Sequence, residues 1–131
     1  MIVSSSSNVC FKGIVDRKYL FGKLPEYDLG LSYIPSGIYE TAPALKTLEY
    51  LACGLPVLAT NTHGNRMFVK QGINGFLADE SLFAQQIVEI VSQVELPEIR
   101  QNARVSVASF DWKKIVNERL LPVYRNLLEK R

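Results

Sequence analysis

Soft metal ligands are nearly absent from this sequence. It has two cysteines, Cys10 and Cys53, and one histidine, His63, and the cysteines form no Cys-x-x-Cys pair. A structural zinc site takes about four such ligands, so none is expected. Two thiols without a secretory signal are expected to be reduced and buried rather than bridged. The opening Met1–Ser7 segment lacks the basic start and the ~7–15-residue apolar run of a signal peptide. No stretch approaches the ~18 apolar residues of a membrane span, which makes the cytoplasm the expected compartment. An excess of one charge is also missing: fifteen Lys and Arg against thirteen Asp and Glu leave a net +2. A nucleic-acid surface shows a clustered basic stripe, so nucleic acid is not an expected partner.

Several signature loops are absent too. No Gly-x-Gly-x-x-Gly turn is present to let backbone approach a dinucleotide pyrophosphate. No Gly-x-x-x-x-Gly-Lys-Ser/Thr loop occurs, and no Gly-x-Ser-x-Gly elbow. No paired acids follow the first apolar run, as a phosphoreceiver domain would need.

What is present is a globular pattern. The chain has 131 residues, 47% of them hydrophobic, enough for one domain with its own core. Short apolar runs predict four strands, near Val9–Phe11, Leu29–Ile34, Pro56–Ala59 and Phe76–Ala78. The third is apolar throughout, as in a parallel strand covered on both faces. Helices are expected over Arg17–Leu24 and Ala44–Cys53, the latter burying Leu45, Leu48, Leu51 and Ala52 and ending at Gly54. A helical turn is expected near Arg66–Lys70. From Ser81, a plausible cap, the period becomes helical, with a stripe of Phe83, Ile87, Ile90, Val91 and Val94. Pro97 suits the start of the next helix, to about Ser109. Asp111 suits the cap of a last one from Trp112 to about Lys130, interrupted at Pro122. Its stripe is Trp112, Ile115, Val116, Leu120, Val123 and Leu127, and Tyr50, Trp112 and Tyr124 are expected in the core. Lys113, Lys114, Arg119 and Arg125 form a mildly basic face, either solvated or suited to a membrane surface. The alternation predicts an α/β, Rossmann-like parallel sheet flanked by helices.

The most informative stretch runs from Tyr39 to Thr60. It is a loop feeding a helix that feeds a buried strand. Ligands of open α/β sheets bind beyond the carboxyl ends of strands. Free N–H groups near Ala44, Leu45 and Lys46 and the helix dipole favour an anion there. Lys46 in the first turn opposes that dipole unless an anion sits beside it. Glu49, on the same face, can accept hydrogen bonds from sugar hydroxyls. Taken singly, Lys46 and Glu49 also fit an exposed i,i+3 ion pair worth only ~0.3–0.5 kcal/mol. Glu40 also fits a solvated loop, and so does His63.

The run Pro43-Ala44-Leu45-Lys46-Thr47-Leu48-Glu49-Tyr50-Leu51-Ala52-Cys53-Gly54-Leu55-Pro56-Val57-Leu58-Ala59-Thr60 resembles the retaining glycosyltransferases of the group 1 (family 4) type, which have the GT-B fold. His63-Gly64-Asn65 resembles the family's Gly-Gly loop. Gln71-Gly72-Ile73-Asn74-Gly75-Phe76-Leu77 resembles its Gly-x-Asn-Gly-x-Leu. Phe110-Asp111-Trp112 and Asn8-Val9-Cys10-Phe11-Lys12-Gly13 resemble two further family segments, so the likeness spans about residues 8–130.

The resemblance implies a single partial domain over residues 1–131, the C-terminal, nucleotide-sugar-binding half of a GT-B fold, N-terminally truncated and ending in helices 81–130. It implies donor binding, a nucleoside-diphosphate sugar serving as co-substrate with no cofactor and no metal. The sugar would pass to a saccharide or lipid-linked acceptor, as in polysaccharide biosynthesis, at the cytoplasmic face of a membrane or free of it. Glu49 would hold the ribose, and backbone around Ala44, Leu45 and Lys46 the diphosphate. Where the family has a sugar-contacting glutamate this chain has Thr41, with Glu40 one residue off, so Glu40 is the catalytic candidate. His63 can reach the donor. Met67 replaces a glutamate of the family. The acceptor-binding domain would come from elsewhere, on a second chain or an N-terminal domain, and the chain alone is expected to transfer no sugar. Two other functions stay open: a non-catalytic nucleotide-binding or pairing module, and an α/β interaction domain unrelated to sugars.

Overall fold

The computed structural model describes residues 8–93 and 95–130. The opening Met1–Ser7 segment and Val94 of the expected stripe lie outside them. Three parallel strands, β1 (Gly30–Ser32), β2 (Val57–Thr60) and β3 (Gly75–Ala78), form a sheet in the order β1-β2-β3. Gly30 pairs with Val57, and Val57 with Gly75. The three carboxyl ends therefore emerge along one edge. Helices α1 (Arg17–Lys23), α2 (Leu45–Ala52), α3 (His63–Arg66), α4 (Phe83–Gln93), α5 (Leu96–Ser106), α6 (Trp112–Ile115) and α7 (Leu121–Glu129) complete the chain. The α/β, Rossmann-like architecture expected from the sequence is present.

Covering both faces of β2 makes the core. Val57 and Ala59 face Leu51, Phe68, Val69, Ala103 and Val107. Leu58 faces the other way, with Phe76, Phe83, Ile90 and Ile99. Each fully buried aliphatic side chain contributes about 1.5–3 kcal/mol, so β2 and its two layers anchor the fold. Gly54, at φ +70, takes the left-handed position that ends α2 and turns the chain into β2.

Four expectations are corrected. Val9–Phe11 is not a strand: Phe11 is 85% exposed. The edge strand β1 has three residues and offers too few ladder bonds and too little apolar cover to hold a fourth. The buried face of α2 is Ala44, Thr47 and Leu51, with Leu48 and Tyr50 packed beside them, whereas Leu45 is 66% exposed and Ala52 is exposed. Thr47 is drawn in by polar partners, which a purely apolar stripe cannot register. The helical turn expected at Arg66–Lys70 lies at His63–Arg66, because the Thr62 hydroxyl caps it by accepting from the Asn65 N–H at 3.3 Å. Ser81 lies inside a 3-10 turn, Glu80–Leu82, rather than capping α4.

The C-terminal region follows its local signals but not its expected burial. Asp111 caps α6, its Oδ1 accepting from the Lys113 and Lys114 N–H groups at 2.8 and 3.3 Å. The interruption at Pro122 appears as a π-helical turn, Val116–Leu120. Proline donates no N–H and crowds the carbonyl four residues back, and the wider turn relieves both. Trp112, Leu120, Val123, Tyr124 and Leu127 are exposed, Trp112 by 76%. Trp112 and Tyr124 are thus outside the core, and only Tyr50 packs against it. Neither cysteine is buried: Cys10 is exposed and Cys53 half-buried, both free thiols.

Leu51 is fully buried on α2 and Leu45 is largely exposed. Leu51→Ala is expected to lower unfolding free energy by about 2–5 kcal/mol, and Leu45→Ala by under about 0.5 kcal/mol. Urea denaturation of both variants checks this, and equal losses would mean that α2 presents a different face.

Candidate functional site

Beyond the carboxyl end of the sheet, three segments meet. The first is the loop from Pro35 to Pro43. The second is the start of α2, and the third is the Thr60–Asn65 turn into α3. The Glu40 carbonyl accepts from the Gly64 N–H at 3.0 Å. Gly64 admits this contact because it has no Cβ: one placed there would stand 1.9 Å from the Ala42 carbonyl oxygen and 3.6 Å from the Ala44 nitrogen. A groove of about 430 Å³ opens between the end of β1 and the start of α2, lined by Ser32, Tyr33, Ile34, Ala44, Leu45 and Lys46 among others.

Underneath runs a chain of buried polar groups. The Thr47 hydroxyl lies 2.8 Å from the Ser32 hydroxyl and 2.7 Å from Asn65 Oδ1. A carboxamide oxygen only accepts, so the single proton of Thr47 goes to Asn65 and the Ser32 hydroxyl donates to Thr47. Asn65 Nδ2 in turn donates to the Thr60 carbonyl at 2.9 Å. The Thr60 hydroxyl donates to the Ile34 carbonyl at 2.8 Å and accepts from the Ile34 N–H at 2.9 Å. Among the described residues no buried side-chain nitrogen or oxygen lacks a partner. This chain joins β1, α2, β2 and α3 under the groove.

No side chain caps α2: Ala44 stands at its N-cap position. The Leu45 N–H donates to the Pro43 carbonyl at 3.0 Å, and no side chain serves the rest of the first turn, whose positive dipole end faces the groove. Lys46 adds its charge in the same turn. At the other end of α2 a second groove, of about 390 Å³, is bordered by Arg100 and Arg104. Both guanidinium groups are engaged there, Arg100 on the Pro25 and Tyr27 carbonyls and Arg104 on that of Cys53. Burial pushes the Cys53 thiol up, with Arg104 opposing. Burial, then the Glu49 charge, pushes the Tyr50 phenol up.

A model of the family described as glycosyl transferases group 1 matches residues 5–93, more than half of the chain. The chain belongs to the group 1 glycosyltransferases. D-inositol 3-phosphate glycosyltransferase 1 of Catenulispora acidiphila is 34% identical over 89 residues, covering 65% of this chain and 21% of that protein. EpsD of Bacillus subtilis, which bears a provisional glycosyltransferase name, is 28% identical over 120 residues, 88% of this chain and 30% of its own. Spore coat protein SA of the same organism is 26% identical over 104 residues, 75% of this chain and 27% of its own. The chain spans less than a third of the length of these curated relatives.

The positions singled out in this glycosyltransferase sequence are distributed unevenly. Ala44, Leu45 and Lys46 line the groove. Glu40 and Thr41 are exposed in the loop above it, and His63 is exposed at the first position of α3. Glu49 points to α1 instead: its Oε1 lies 3.4 Å from Arg17 Nη2, with side chains 41% and 78% exposed. Its ion partner is therefore not Lys46. Met67 is exposed just after α3. Among the described residues no group of three or more His, Cys, Asp or Glu could hold a metal ion. No described helix is long and apolar enough to cross a membrane. Sequence reasoning missed Ser32, Thr47, Asn65, Glu80 and Arg17. For Thr47 a signal existed, four residues before Leu51 on the buried side of α2.

Asn65→Ala would strip partners from the Thr47 hydroxyl and the Thr60 carbonyl. It is expected to lower stability by about 2–3 kcal/mol with an unchanged denaturant slope. The exposed Asn61→Ala should stay within about 0.5 kcal/mol, and a similar figure for Asn65→Ala would remove the network from the account of the fold.

Proposed function

We propose that these residues are the donor-binding half of a nucleotide-sugar glycosyltransferase of GT-B architecture. The observation that carries this is the convergence of the Pro35–Pro43 loop, the uncapped start of α2 and the His63–Gly64 turn beside a groove at the carboxyl end of the sheet. A diphosphate placed there would take hydrogen bonds from first-turn N–H groups, favoured by the helix dipole and the Lys46 charge. The sugar would lie toward Glu40 and Thr41, and His63 would border it. In this reading the donor is the co-substrate, with no cofactor or metal ion. A saccharide or lipid-linked acceptor is held by protein outside these 131 residues, on a further domain or a second chain. Polysaccharide synthesis at the cytoplasmic side of a membrane suits such an enzyme.

Glu49 fits the ribose role energetically despite its pairing. An exposed ion pair such as that with Arg17 is worth about 0–1 kcal/mol. Two ribose hydroxyls donating to this partly exposed carboxylate would together contribute about 1.5–3 kcal/mol. The exchange favours the nucleoside. A second reading, a module that binds nucleotide or a partner chain without transferring sugar, draws support from Thr41 and Met67, which stand where the family places glutamates.

Calorimetric titration of the purified chain with ADP, GDP and UDP in turn tests the proposal. One of the three should bind, and Glu49→Ala should weaken that binding by about 1–3 kcal/mol, a factor of roughly 5–150. Absence of binding by all three would sink the donor reading. Unchanged affinity in Glu49→Ala would leave that residue as a partner of Arg17 alone. Sugar transfer by the isolated chain would show instead that no second domain is needed.

A further inference from the structure

The loop beside the groove is fastened at its start by a side chain from the far strand. Glu80 opens the 3-10 turn that follows β3. Its Oε1 accepts from the Ser36 N–H, and its Oε2 accepts from the Tyr33 hydroxyl at 3.2 Å. These partners lie 44 and 47 residues earlier in the chain. The sheet order puts β2 between β1 and β3, so no ladder joins the two outer strands. One carboxylate does so at their carboxyl ends. The Tyr33 ring meets Phe83 edge-on at 5.2 Å, which fixes the direction of its hydroxyl.

Few other ties hold the same loop. Ile34 is bound through both N–H and carbonyl to the Thr60 hydroxyl, and Glu40 through its carbonyl to the Gly64 N–H. Between Ser36 and Glu40 the chain arches outward through Gly37, at φ +115, with Ile38 and Tyr39 exposed. The arch thus stands on two feet, Glu80 at one and Gly64 at the other.

We propose that Glu80 is a positioning residue: its carboxylate sets the pose of the Ser36–Glu40 arch and so the backbone that the arch presents to the donor. The second half of this statement rests on the donor-binding reading, and the first does not. A carboxylate suits the task because both oxygens accept and neither donates. Hydrogen bonds to an ionised acceptor are roughly twice as strong as neutral ones, which matters at a surface where water competes.

Protonation would convert one of those oxygens into a donor. The Ser36 hydrogen bonds, followed by that from Tyr33, hold the Glu80 carboxyl below the usual carboxylate range. The same contact pushes the Tyr33 phenol up. Tyr33 is the titratable group facing Glu80 from the end of β1; Asp79 beside it is turned to Asn61 Nδ2, 3.3 Å away, and Phe83 brings no charge from α4. Because the folded-state value is depressed, the clamp is fully present above the ordinary glutamate range. It is lost as pH falls through the lowered value.

Amide NMR of the full chain tests this. The Ser36 N–H resonance should titrate with a midpoint below the ~4.3 of free glutamate, and Glu80→Gln should abolish that titration. In Glu80→Gln at pH 7, hydrogen exchange across residues 36–40 should rise by about 10-fold while β2 amides keep their protection. Tyr33→Phe, which keeps the Ser36 contact, should give a smaller rise. The nucleoside diphosphate that binds the wild type should bind Glu80→Gln about 5-fold more weakly, through slackening of the arch. Unchanged Ser36 shift and exchange in Glu80→Gln would overturn the clamp. A loosened arch with unchanged nucleotide affinity would overturn its role in donor positioning. A wild type that binds no nucleotide, while Ser36 still titrates, would overturn the donor reading and leave the clamp standing.

Discussion

The buried chain of neutral polar groups from Ser32 through Thr47, Asn65 and Thr60 to Ile34 governs the rest of this structure. It is short, and every link but the last, which ends on the loop residue Ile34 just after β1, passes from one secondary-structure element to another. A buried hydroxyl or carboxamide without a partner is unfavourable by about 1–3 kcal/mol. The elements must therefore meet in the one arrangement that satisfies all of them. Apolar packing alone would let α2 slide or rotate on β1 and β2 at small penalty, since aliphatic contacts are not directional. The hydrogen bonds choose the rotation that buries Thr47 and turns Leu45 out. That choice points the start of α2 at the groove, and it brings α3 close enough for Gly64 to meet Glu40.

This explains which parts of the molecule were legible in the sequence. The parallel strand β2 was legible because a run of apolar residues covered on both faces has one structural meaning. The ends of α2 were legible from Pro43 and Gly54, whose backbone restrictions act locally. The groove's place followed from topology, since a parallel sheet presents its carboxyl ends together. The rotation of α2 was not legible, because Thr47 competes for the core through partners 15 and 18 residues away. Glu49 was read as facing a ligand or Lys46, and its partner Arg17 lies 32 residues away on another helix. Sequence spacing sees neighbours on one helix; it does not see the element that packs alongside.

The C-terminal helices mark the same boundary from the other side. Their stripe of Trp112, Leu120, Val123 and Leu127 correctly signals amphipathic helix, as does the Asp111 cap. The conclusion that the stripe reaches the core does not follow. Periodicity states that one side of a helix is apolar, and says nothing of the surface that receives it. In this structure α7 buries no residue, and Tyr124 and Leu128 are exposed beside the stripe. The missing strand at Val9–Phe11 has the same origin. A run of apolar residues becomes a strand only where a ladder and a covered face await it, and the three residues of β1 supply neither in sufficient length.

The kind of chemistry the groove suits follows from the charges around it. Of the carboxylates nearby, Glu80 is committed to Ser36 and Tyr33, and Glu49 to Arg17. Only Glu40 stands exposed in the arch with its backbone, rather than its carboxylate, tied down. What faces the groove is a helix dipole, a lysine and backbone N–H groups. Such a set stabilises negative charge on a bound group without moving a proton. Under the proposed donor reading, it would hold the diphosphate as the bond to the sugar lengthens and charge develops on the leaving oxygen. General acid–base work would need a carboxyl or imidazole fixed within hydrogen-bond reach of the reacting atoms, and an acceptor's hydroxyl comes with the acceptor. In the proposed reading the division is physical: these elements would carry the anion, and the acceptor's hydroxyl would be brought by protein outside these 131 residues.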